Sequence, residues 1–141
     1  MNAPDQFLSA ECDPVYEKVR NDGCLLLEAE KAVLGFTHAT VGSWIGENWK
    51  LPRVLQAAMR QHHEPAKARE DREMVMAVHL GDILSRALGV GNGGDCGVPE
   101  FEAASWTHYG LNSKFIDESL GAMLAEIGKA KQFFDMIDGK G

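Results

Sequence analysis

Apolar residues recur along this chain at intervals of three and four, and the breaks between runs fall at glycine, proline and short polar residues. That spacing predicts helices, and no stretch reads as a strand. Residues 1–12 read as a lead-in. Asp13-Pro14 starts a first helix, a capping carboxylate followed by proline at the first helical position, and Asn21-Asp22-Gly23 ends it after Arg20. Cys24 to Leu34 forms a second helix, closed by Gly35. Thr37 caps a third that runs to about Trp49, with His38, Val41, Gly42, Ile45 and Trp49 on one face. Leu51-Pro52 starts a fourth, whose apolar face is Leu55, Ala58 and Met59. His62 lies on that stripe, and His63 is rotated about 100° from it at the helix end.

Ala66 to Arg72 is a polar connector. A fifth helix spans about Arg72 to Leu88, and Asp82 shares a face with Val75, Val78 and His79. Residues 89–99 form the glycine-dense stretch, read as a flexible connector. Residues 100–110 make a short helix ended by Gly110. Asn112 or Ser113 caps a long last helix to about Ile137, striped by Ile116, Leu120, Met123, Ile127, Phe134 and Ile137. No internal repeat is visible, so the expectation is one all-α domain over residues 13–141, with consecutive helices packed together.

Composition narrows the function. A 45% hydrophobic content over 141 residues supports a core and excludes disorder. The net charge of −7 argues against non-specific binding to nucleic acid or to an anionic membrane. No apolar run reaches membrane-span length, and Met1 to Ala10 lacks the basic start of a signal peptide. Cys12, Cys24 and Cys96 are odd in number and lack CxxC spacing, which reads as free thiols in a reducing cytoplasm.

The chemistry lies in His38, His62, His63 and Asp82, one or two from each of three successive helices. Imidazole and carboxylate are metal ligands, and a cation held by them polarises a phosphoryl oxygen and acidifies a bound water. Each residue also has an ordinary explanation. His38 fits a local hydrogen bond at a helix start, and His62 fits a satisfied core histidine. His63 fits the negative helix C-terminus, and Asp82 fits an ion pair with Arg86 or a bond with His79. Their position on consecutive helices keeps the metal reading alive. Other motifs carry less. Gly89-x-Gly91-x-x-Gly94 follows a helix instead of a strand, and no serine lies in a nucleophile elbow.

Several strings stand in order along the chain: Glu30-x-x-x-Leu34-Gly35-Phe36-Thr37-His38-Ala39-x-Val41-Gly42, Trp49-x-Leu51-Pro52, His62-His63-Glu64-Pro65 and Val78-His79-Leu80-Gly81-Asp82-Ile83-Leu84. From about Val15 to Leu88 the chain resembles the C-terminal part of an HDOD domain, the regulatory relative of HD-type metal-dependent phosphohydrolases. The resemblance implies an HD-like helical bundle, truncated on its N-terminal side, with His38, His62, His63 and Asp82 at metal-site positions. It implies a non-catalytic module of bacterial signal transduction, whose histidines hold one divalent ion such as Mn, Fe, Ni or Zn, or only hydrogen bonds. Its partner would be another signalling protein or a second copy. The alternative is a phosphohydrolase acting on a nucleotide or similar phosphate ester, with Glu64 as the candidate base. The chain departs from the catalytic pattern, because no histidine is followed by aspartate. Pro65-Ala66-Lys67 also stands where the HD-GYP phosphodiesterases carry Gly-Tyr-Pro.

Overall fold

The computed structural model describes residues 5–91 and 93–137. Seven α-helices follow one another among these residues, and none of them forms a strand. They are α1 (Asp5–Asp22), α2 (Leu26–Val33), α3 (His38–Asn48), α4 (Arg53–Gln61), α5 (Arg72–Ala87), α6 (Ala103–Tyr109) and α7 (Ser113–Ile137). A 3-10 turn at Pro65–Lys67 lies between α4 and α5. The all-α expectation holds. None of the described helices is long and apolar enough to cross a membrane.

The first helix starts earlier than the sequence reading placed it. α1 begins at Asp5, so the expected lead-in is helical from that residue, and Pro14 lies inside the helix instead of opening it. An interior proline removes one helical hydrogen bond and crowds the carbonyl four residues before it, so this helix carries a local cost there. Met1 to Pro4 lie outside the described residues, as does Asn92 of the glycine-dense stretch. Helix ends follow the expected chemistry more closely. Gly23, Gly35 and Gly110 all have positive φ after a helix, where a side chain would be strained. Asn112 caps α7, its Oδ1 accepting from the Phe115 N–H at 2.9 Å.

Where the sequence was read as one domain, the chain divides into two compact units, Met1–Glu102 and Ala103–Gly141. In the first, Val15 and Val19 of α1 pack on Ala29 of α2, with Cys24, Leu26 and Leu34 around them. α3 lies on α4 through small residues. Its buried face is Ala39, Ser43 and Gly46, not the expected His38–Val41–Ile45–Trp49 face. A Cβ on Gly46 would stand 3.3 Å from Gln56 Cγ and from Met59 Sδ. The helices therefore approach where side chains are smallest, and bulky Ile45 and Trp49 turn outward, Trp49 being 70% exposed. α5 buries Val75, Met76, His79, Ile83 and Leu84, while Val78 is exposed.

The glycine-dense stretch is not a free connector. Asp95 reaches back to α2, and its Oδ2 accepts the Leu26 N–H at 2.6 Å. Its Oδ1 accepts from Arg86 Nη1 at 2.8 Å and from the Gly97 N–H at 2.9 Å. Burial disfavours the charged carboxylate, yet the Leu26 N–H, Arg86 and the Gly97 N–H outweigh it and hold Asp95 below the usual carboxylate range. In the second unit, no residue of α7 is buried.

Candidate metal centre

The Thr37 hydroxyl accepts the Thr40 N–H at 3.4 Å and fixes the start of α3, which makes His38 its first residue. Glu30, from α2, then grips that residue twice. One carboxylate oxygen accepts the His38 backbone N–H at 2.9 Å and bonds the ring Nδ1 at 2.7 Å. Glu30 is 9% exposed, and two donors satisfy the oxygen that meets His38. In the neutral ring, an Nδ1 that donates to the carboxylate leaves Nε2 with its lone pair.

α4 ends at Gln61, and His62 closes it, its Nδ1 donating to the Ala58 carbonyl at 2.9 Å. That bond leaves the His62 Nε2 lone pair free. The chain then turns, held by the buried ring of Pro65 and by His79, whose Nδ1 donates to the His62 carbonyl at 2.7 Å. The turn swings His63 toward α3, and its Nε2 lies 2.7 Å from His38 Nε2. When His38 presents a lone pair there, His63 carries the proton in that bond and presents Nδ1 unprotonated on its other side.

Three of the four predicted ligands thus converge. His38, His62 and His63 each offer one ring nitrogen, all within 4.8 Å of one another. The pKa values of His62 and His63 are both lowered, which favours the neutral form that ligates metal. Burial pushes the His63 pKa down to about 4, with help from His62 and His38 beside it. Burial and the nearby His38 lower that of His62 as well.

Asp82 is the residue that departs. Its Oδ1 accepts from Arg86 Nε at 3.2 Å, the helical ion pair that the spacing predicted, and His79 goes to His62 instead. Its Oδ2 is buried with no hydrogen-bond partner and stands 3.9 Å from His63 Nδ1. A buried carboxylate oxygen facing an unprotonated ring nitrogen is an unfavourable pair of acceptors. A cation beside Asp82 Oδ2 would remove that conflict and would take His63 through Nδ1, whereas His38 approaches the Nε2 side of the same ring.

Glu30 is the functional residue that the sequence reading left without a role. The only signal was its place eight residues before His38 in the ordered string. Glu64 has turned to Lys67, 2.6 Å away, on the rim of a cavity of about 360 Å³. Lys31, Arg60 and Lys67 line that cavity together with Thr37 and His63. A larger cavity of about 500 Å³ on the outer side of α4 holds none of the predicted ligands.

Residues 5–65 match the family model of the HDOD domain. No curated protein and no solved structure matches the chain. The expected likeness over Val15 to Leu88, confined to the C-terminal part of the family's domain, is corrected. The match starts at residue 5, within α1, and the restriction to a C-terminal part is not borne out. The helix was expected to start at Asp13, so the turns before it carried no weight in the sequence reading. The chain thus carries an HDOD domain match over residues 5–65, spanning α1 to α4 and including His38, His62 and His63 but not Asp82.

Proposed function

We propose that this protein is a non-catalytic regulatory domain of signal transduction that holds a single divalent ion at His38, His62 and His63, with Asp82 at its side. The state of Asp82 carries the reading: one oxygen is committed to Arg86, and the other is buried without a partner. Three imidazoles and one open carboxylate oxygen suffice for one ion of the imidazole-binding kind, Mn, Fe, Ni or Zn. They leave no anionic ligand for a second, because the guanidinium already offsets the Asp82 charge. A two-metal phosphohydrolase needs both attacking and leaving oxygens clamped. The HDOD match supports the regulatory class. Loading the ion requires the His38–His63 hydrogen bond to open, which ties metal occupancy to the packing of α3 against the end of α4.

The phosphohydrolase alternative draws on the cationic lining of the cavity beside His63. Its candidate base, Glu64, is paired with Lys67. Elemental analysis and calorimetric titration with Mn, Fe, Ni and Zn test the proposal. About one ion per chain is expected, lost in His63→Ala, with no hydrolysis of phosphomonoesters or phosphodiesters by the loaded protein. Turnover that disappears in Asp82→Ala overturns the non-catalytic reading. Absence of any ion overturns the metal site.

A further inference from the structure

Seven apolar positions of α7 form a heptad series, with Phe115, Leu124, Phe133 and Met136 outside it. Leu120, Ile127 and Phe134 stand seven apart, and so do Ile116, Met123, Ala130 and Ile137. The two series alternate by four and three residues over three heptads, the a and d positions of a coiled-coil seam. A surface helix packed on a globular core follows a broader stripe at 3.6-residue spacing. No residue of the helix is buried: Phe134 is 62% exposed and Ile137 64%, while Ile116, Leu120, Met123 and Ile127 are half-buried. We infer that α7 pairs with α7 of a second copy of this chain as a parallel, in-register two-stranded coiled coil.

Charge selects the partner and the direction. In a parallel pair, the g position of one helix faces the e position of the next heptad on the other. Those positions are Glu126 and Lys131, so two copies in register face opposite charges twice across the seam. Glu126 also touches Lys129 on its own helix at 2.6 Å, in an exposed pair that leaves the carboxylate accessible. An antiparallel pair sets g against g and e against e, which forfeits the Glu126–Lys131 contact. Leu124 and Phe133, at e and g, are 53% and 56% exposed and widen the seam toward its C-terminal half.

The helix itself calls for such support. Gly121 and Gly128 lie seven apart at the outward b position, and a Cβ on either would meet nothing within 4 Å. Each weakens the helix without serving a contact, so an isolated α7 is marginal and gains from packing along its seam. This pairing is independent of the metal reading.

Sedimentation equilibrium of the full chain tests the inference. A concentration-dependent dimer is expected, with Ile127→Asp weakening association more than about a hundredfold. Glu126→Lys should weaken it by a smaller factor, and Glu126→Lys with Lys131→Glu should restore it. Ala130→Cys should form an interchain disulfide on oxidation beyond any seen in the unsubstituted chain, because only the parallel register brings the two d positions together. Circular dichroism confirms that each variant remains helical, and the charge variants decide the matter where Ile127→Asp does not fold. A monomer up to about 100 μM overturns the inference, as does a larger oligomer or a dimer indifferent to both the Ile127 and Glu126 substitutions. Failure of the Ala130→Cys cross-link overturns the parallel register.

Discussion

α3 and α7 each carry two glycines, for opposite reasons. Gly42 and Gly46 sit four apart on α3 and face α4, with Met59 3.7 Å from a Cβ on the first and 3.3 Å from one on the second. Gly121 and Gly128 sit seven apart on α7 and face open space. In α3 the missing side chain lets two helices approach and brings His38 to His63. In α7 it only loosens the helix. A glycine inside a helix therefore has no fixed meaning in a sequence, and the surface it faces decides whether it strengthens or weakens the fold. Polar contacts divide the same way. Residues 5–102 are fastened by carboxylates with little exposure, Glu30 and Asp95, whereas the ion pairs of α7 stand in solvent.

The sharpest way to break that contrast is to remove an anchor. Asp95→Ala leaves the Leu26 N–H without its acceptor and removes one of two carboxylates from Arg86. The loss should be about 3 kcal/mol in urea unfolding. Lys129→Ala removes an ion pair of similar length, 2.6 Å against 2.8 Å for Arg86–Asp95, and should change stability by less than about 0.5 kcal/mol. Equal losses in the two variants would show that burial is not what separates them. Next in size is Gly46→Val. Its branched side chain must displace both Gln56 and Met59, and a loss of about 2 kcal/mol is expected. Because α3 then lifts from α4, metal affinity should fall in the same variant, read by calorimetry.

How much of this was legible in sequence depends on which physical signal carries it. Caps and breaks were readable because they rest on local chemistry: Thr37 before α3, Gly35 after α2 and Asn112 before α7 all stand where expected. The buried face of α3 was not. Hydrophobicity placed Ile45 and Trp49 inward, but the contact is set by how closely two backbones approach, which favours Ala39, Ser43 and Gly46. The three histidines were found by residue type and helix order. Glu30 and Asp95 were not assigned roles, since each bonds a backbone N–H that sequence spacing does not mark. For Asp95 the separation from Leu26 is 69 residues. Asp82 was read both ways, and both readings hold in part, because each oxygen has a different neighbour.

Acid should affect the histidine cluster of the metal-free protein next. His63 titrates at 6.5 when unfolded and at about 4 in the fold, where burial and the adjacent rings oppose its charge. Between those values the unfolded chain binds more protons than the native one. Stability therefore falls as pH drops from 6.5 to about 4 and this contribution levels off below that. His62 shifts the same way and adds to the slope. The loss should be about 1–2 kcal/mol after solvent screening of incompletely buried rings. Urea midpoints at pH 7, 5.5 and 4 read it, and His63→Gln should flatten the curve. A stability that is level or rises on acidification across that window would mean that the rings are not desolvated. Metal binding should fall over the same pH range, because protons compete for the ring nitrogens.

A further small effect returns to the two kinds of glycine. Gly128→Ala adds a methyl group where nothing lies within 4 Å, so no packing is disturbed. It removes backbone freedom from the unfolded chain and should raise the stability of α7 by about 0.5–1 kcal/mol. Gly46→Ala adds the same methyl at 3.3 Å from two side-chain atoms, Gln56 Cγ and Met59 Sδ. Both lie on flexible side chains, so part of the clash relaxes, but the propensity gain is offset by the lost approach of α3 to α4. The two alanines should therefore differ in sign in thermal melts. If both stabilise, the α3–α4 contact is looser than 3.3 Å implies, and the proximity of His38 and His63 would need another cause. If both destabilise, α7 packs its outward face against something, and the b positions, not the a and d seam, are where its partner sits.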